Sequence, residues 1–167
     1  ALLGKSNVFR FPRVKDYKNH FNNNPSSVNV ALLTGHSMLR VEAMNGEFDR
    51  PANSTEIKKM VNNLQIALED GSIGLSTGLA YPAANAAPTS EIIELAKVLP
   101  PQNGIFTTHM RNEAIDVIKS VQETIEISSS SNVRTVISHH KCAGRENWGK
   151  SKKTLQLIEE AKKNNYL

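Results

Sequence analysis

A short apolar or β-branched run followed by an amphipathic stretch recurs four times along this chain, and that alternation leaves few folds open. The runs fall at residues 29–34, 73–77, 105–109 and 133–138, each short enough for a strand and bounded by glycine, proline or polar residues. Between them, Ile57, Met60, Val61, Leu64, Ala67 and Leu68 form a stripe at spacings of three and four, started by a Ser54 or Thr55 cap and closed by Gly71. A second stripe runs from Thr89 or Ser90 through Ile92, Ile93, Leu95, Ala96 and Leu99 to the breakers Pro100 and Pro101. Helices are expected again over 114–128 and 151–164, and one more precedes the first strand, where Val14, Tyr17 and Phe21 share a helical spacing before Asn22-Asn23-Asn24-Pro25.

Four strand–helix units with no strand-only region predict a parallel sheet with helices packed outside it. A closed (β/α)8 barrel takes ~250 residues, so 167 residues hold about half of one. The fold class expected is therefore α/β, a partial (β/α)8 TIM-type barrel of about four parallel strand–helix units. An open doubly wound sheet is the alternative, but no strand is followed by a G-x-G-x-x-G phosphate cradle. Gly4-Lys5-Ser6 is no P-loop either, because neither a strand nor the upstream glycine precedes it.

Sites in such folds are built where strands end, because the βα loops converge there. The third run ends in His109, followed by Arg111 and Glu113; the fourth ends in Ser138-His139-His140-Lys141. A lone strand-end histidine is more often a hydrogen-bonded structural residue. Two at matching ends of neighbouring strands, ~4.8 Å apart, can reach one metal ion. A catalytic zinc takes about three protein ligands and an open position, and His109 and His139 supply two. Strand alternation turns His140 away from His139 and returns Lys141 to its face. Cys142, in the loop beyond, reads as a packed or partly exposed thiol.

Composition narrows the function classes. No run approaches ~18 apolar residues, so no membrane span is encoded, and Ala1-Leu2-Leu3-Gly4-Lys5 lacks the layout of a signal peptide. The chain does not begin with Met, which suggests a piece of a longer one. A single cysteine fits a reducing compartment, and the cytoplasm is expected. The 20 basic residues are scattered among 16 acidic ones, for a net charge of +4, with none of the clustering that nucleic-acid binding needs.

The ordered blocks GHSMLR, EDGSIGLSTGLAYP, TTHMRNE and ISHHKCAGRENWGKSKKTLQLIE, between Asn29 and Ala161, closely resemble the N-acyl-D-amino-acid deacylases, or D-aminoacylases, of the amidohydrolase superfamily. The resemblance implies that residues 1–167 are the central fragment of a metal-dependent amidohydrolase barrel, its strands three to six. It implies a Zn2+ cofactor and hydrolysis of the amide of a small N-acyl-D-amino acid to the free amino acid and a carboxylate. On this basis His109 and His139 match the metal-binding histidines, Lys141 the lysine that binds the substrate carboxylate, and Tyr81 a pocket tyrosine. His36 and Arg111 fall in family motifs at strand ends, as residues that line or brace the substrate site. The family's His-x-His, its bridging cysteine and its aspartate base should lie outside this segment; Cys142 is in the wrong place to be that cysteine. The fragment alone is thus expected to be inactive and, as an open half-barrel, to self-associate. A non-catalytic half-barrel or interaction module, and a cyclic-amide hydrolase of the same superfamily, are the alternatives.

Overall fold

The structure, a computed structural model, describes residues 11–164; the Gly4-Lys5-Ser6 segment and the first residues lie outside that range. Four parallel strands, β1 (Thr34–Gly35), β2 (Gly74–Gly78), β3 (Ile105–His109) and β4 (Arg134–Ile137), pair in chain order. The register sets Leu75 beside Phe106, Gly78 beside His109, and Thr108 beside Ile137. No Cβ fits at position 74, where it would lie 2.0 Å from the Ile105 carbonyl oxygen, so glycine alone permits this close pairing of β2 with β3.

The helices are α1 (Val14–Asn23), α2 (His36–Ala43), α3 (Ser54–Glu69), α4 (Pro82–Asn85), α5 (Thr89–Ala96), α6 (Val117–Ser131) and α7 (Ser151–Lys163). Among them α2, α3, α5, α6 and α7 form one layer, each against the next. Side chains alternate across a strand, and here the two faces diverge. Leu75 and Phe106 are fully buried among Met60, Leu64, Ile92 and Leu95 of α3 and α5. Val136, on the opposite face, is 50% exposed. A smaller cluster, Met110, Val117 and Val121, packs with Ile137, Cys142 and Leu157 under α6 and α7, which places the thiol as a packing residue.

Three expectations are corrected. The apolar run 29–34 is regular only over Thr34–Gly35. Leu32 still accepts a bond from the Ile73 amide (2.8 Å), but Val28, Val30 and Leu33 are exposed, because no described strand covers that edge. The next element is the helix α2, capped at Gly35, so His36 opens a helix instead of ending a strand. Finally, α3 is capped by Asn53 rather than by Ser54 or Thr55. The Asn53 side chain accepts from the Thr55 and Glu56 amides (2.9 and 3.0 Å), and Glu56 accepts from the Asn53 amide (2.8 Å).

That reciprocal cap satisfies helix-end donors that otherwise face solvent alone. Asn53→Ala should therefore cost about 1 kcal/mol of stability. A urea titration should show this as a lowered midpoint with an unchanged slope.

Candidate metal centre

The third and fourth strand ends converge. His109 closes β3, and its partner across the sheet is reached through a turn: His139 lies beyond β4 at φ 41°. A left-handed conformation is uncommon for a residue with a Cβ, although histidine is among those enriched there, and such positions gather at functional sites. The turn brings His139 Nε2 to 2.9 Å from His109 Nδ1, with the rings 4.6 Å apart and steeply inclined at 68°. On its other side His109 meets the Tyr81 ring at 5.1 Å. Gly78 makes room for that ring, since a Cβ there would lie 2.6 Å from Tyr81 Cδ2.

Behind the two imidazoles stands Glu113. Its Oε1 is 3.0 Å from His139 Nδ1 and its Oε2 is 3.7 Å from His109 Nε2. An Asx turn fixes the loop that carries it: Asn112 Oδ1 accepts from the amides of Ala114 (2.8 Å) and Asp116 (3.1 Å), while the Ala143 amide donates to the Glu113 carbonyl (2.7 Å). Burial pushes the Glu113 carboxyl up, yet its bond from Lys141 and the charges around it hold it below the usual range. His109, Glu113 and His139 each offer one ligand atom, all within 4.8 Å of one another, and of the three only the two imidazoles border the adjoining cavity. Two imidazoles suit zinc. The rings border an open cavity of about 410 Å³, lined also by Gly35, Ser76, Gly78 and Tyr81.

Of the residues singled out in the sequence, His109, His139 and Tyr81 meet around this cavity. Lys141 does not border it. Its ammonium donates to Glu113 Oε2 and to the His139 carbonyl (3.2 Å), and its side chain is half exposed. His140 does face away, bonding Thr154 Oγ1 at 2.9 Å, and burial pushes its imidazole down in pKa.

His36 and Arg111, expected to line or brace the substrate site, are both tied to carboxylates of the surrounding helices. His36 adjoins the cavity but has no exposed side-chain surface, and its Nε2–H donates to Glu91 Oε1 (2.9 Å). Arg111 donates to Glu123 and to the carbonyls of Asn85 (2.7 Å) and Ala87 (2.9 Å). Reasoning from the sequence misses the larger brace, Arg40. It is fully buried, bonds both Glu91 oxygens at 2.6 Å, and spans the carbonyls of Phe48, Arg50 and Ala83. Burial raises the Glu91 pKa, but the His36 and Arg40 hydrogen bonds outweigh it and hold the carboxyl below its ordinary value. At the sequence level Glu91 reads only as an acid in the first turn of a helix, where such residues are common.

Comparison with known proteins identifies the context. No family model matches the chain. Over 96% of its length it is 41% identical to a D-aminoacylase and 40% identical to an N-acyl-D-aspartate deacylase, both from Alcaligenes xylosoxydans xylosoxydans. These two deacylases are homologues of the chain along about a third of their own length. A crystal structure of a D-aminoacylase, described as defining a novel subset of amidohydrolases, superposes with a TM-score of 0.91 at 42% identity, over 96% of this chain and 34% of that one. An N-acyl-D-glutamate deacylase from Bordetella bronchiseptica, complexed with zinc and a phosphonate mimic of the tetrahedral intermediate, gives 0.88 at 38% identity, over 91% and 32%. The chain thus spans about a third of the length of the deacylases it matches.

The buried brace makes a quantitative prediction. Arg40→Met strands the Glu91 carboxylate in the interior and should cost about 3–5 kcal/mol, whereas adding Glu91→Leu should recover much of the loss. Denaturant midpoints of the single and double variants give the comparison.

Proposed function

We propose that the chain is the central segment of a zinc-dependent hydrolase that cleaves the amide of N-acyl-D-amino acids to the free D-amino acid and a carboxylate. The observation that carries this reading is the facing pair His109 Nδ1 and His139 Nε2, 2.9 Å apart on one cavity. Its setting is a chain about 40% identical to deacylases over nearly all of its length.

In this reading the two imidazoles would hold Zn2+, with further ligands from outside this segment. When bound, the ion lowers the pKa of water toward ~7 and polarises the amide carbonyl. The chain's own residues orient the substrate. Tyr81 is 56% exposed and presents its hydroxyl as a donor beside the cavity. The Lys141 ammonium has three donors: Glu113 and the His139 carbonyl take two, and the third, 3.1 Å from His139 Nδ1, turns to the substrate carboxylate when that nitrogen carries the ring proton. Fixing that carboxylate orients the scissile bond and decides which enantiomer directs its side chain into the pocket. Among the described residues no Asp or Glu lines the cavity, so the carboxylate that takes the water's proton comes from outside this segment. The single cysteine fits a cytoplasmic setting. Among the described residues no helix is long and apolar enough to cross a membrane.

The complete polypeptide containing this segment should release amino acid from N-acetyl-D but not N-acetyl-L substrates, and only with metal present; equal turnover of both enantiomers, or turnover surviving chelation, would refute the reading. In that polypeptide Lys141→Met should lower kcat/KM by ~10- to 100-fold, the value of one bond to a charged group, and by less for a substrate whose carboxylate is a neutral amide. The isolated 167-residue chain should show no turnover. With Ile73 and Val136 of the sheet exposed, it should also self-associate in light scattering.

A further inference from the structure

An imidazole that binds a metal must present a lone pair, and its other nitrogen must then carry the proton. Which nitrogen does so is set by what the ring's far side touches. Here the far sides of both rings meet the same group. Glu113 Oε1 is 3.0 Å from His139 Nδ1, and Oε2 is 3.7 Å from His109 Nε2. The facing atoms, His139 Nε2 and His109 Nδ1, are the opposite nitrogens of those rings. Both rings border the cavity and Glu113 does not.

Resting on the metal reading above, we propose that Glu113 is the positioning residue of the centre. The carboxylate accepts from His139 Nδ1 at 3.0 Å and stands 3.7 Å from His109 Nε2 as a nearby negative charge, and so turns the lone pair of His139 Nε2 toward His109 Nδ1 at the cavity. Three features hold the carboxylate in place. The Asn112 turn and the Ala143 amide fix its backbone, and the Lys141 ammonium sits against Oε2. That ammonium also argues against Glu113 as a direct ligand, because the space between Oε2 and His139 Nδ1 already holds a cation, 3.1 Å from that nitrogen. Glu113 therefore acts through the histidines, at a distance of four residues from one and 26 from the other.

The test is ring-nitrogen NMR of the 15N-histidine-labelled chain, together with zinc titration against a competing chelator. In the wild-type chain without metal, His139 should carry its proton on Nδ1; on adding zinc, the metal-shifted nitrogens should be His139 Nε2 and His109 Nδ1. A proton on His139 Nε2 in the metal-free chain, or zinc on His139 Nδ1, overturns the proposal without any variant. Glu113→Ala should weaken zinc binding ~10- to 100-fold and release His139 to a mixture of tautomers, with Glu113→Gln between it and wild type. Wild-type affinity and tautomer in Glu113→Ala would also overturn it. His109→Asn separates the two readings. If zinc binding is unaffected by His109→Asn, the metal reading fails; if binding needs His109 but ignores Glu113, only the positioning role fails.

Discussion

The buried Arg40–Glu91 pair is the contact on which the arrangement of the loops depends. Two unit charges without exposed surface are costly to desolvate and are tolerated only when their remaining donors and acceptors are met. Here they are. The guanidinium reaches three carbonyls besides the carboxylate, and Glu91 also receives His36 and the Ala52 amide (3.3 Å). These partners come from the helix after β1, the loop before α3, the segment after β2 and the helix α5. A hydrophobic pair would pack those elements but would not fix their registration, because apolar contact is not directional.

Arg111 and Glu123 repeat the device one unit along. Arg40 takes the carbonyl of Ala83, and Arg111 those of Asn85 and Ala87. The short segment behind Tyr81 is thereby held from two sides by cations that are themselves anchored on carboxylates. Tyr81 is 56% exposed at the cavity, yet the residues that follow it are tied to the fully buried Arg40 on one side and the partly buried Arg111 on the other. The ring can stay exposed because the contacts that hold the segment after it are made by other residues.

The range of the forces involved separates the features legible in the sequence from those hidden in it. β3 is legible to the residue, since Ile105–His109 is β-branched and aromatic and lies between the Pro100-Pro101 break and a polar loop. α7 and α5 are legible from their stops and stripes. β1 is over-read, because an apolar run announces burial only if something covers it, and residues 28–33 lie at an open edge. α2 is hidden because it begins directly at Gly35 without a side-chain cap. Within the site, the meeting of His109 with His139 is accessible from parallel pairing alone. The partners of His36 and Arg111 are not, because those contacts join residues 12 to 55 positions apart and no local pattern marks them. Alternation also puts His140 on the correct side for an incomplete reason: the chain turns at His139 through a left-handed residue, so strand periodicity ends before it.

The two faces of the sheet differ in how they are covered, and the histidine pair sits where they part. Toward the helices, Leu75 and Phe106 are sealed by α3 and α5, and Thr77 and Thr108 satisfy each other at 2.8 Å. That layer needs nothing from outside the chain. Toward the other face, Ser76, Thr107 and Val136 share the side on which His109 lies, by alternation and register. Val136, like Arg134 beside it, remains open to solvent. The cavity inherits this asymmetry. Its back wall, comprising the imidazole pair and Glu113 behind it, is assembled by contacts wholly within the chain, whereas its front is open. A cation held there would meet a rigid donor set on one side and, on the other, whatever closes the sheet. The positions of the two imidazoles are thus fixed by contacts within this segment, whatever occupies the open side.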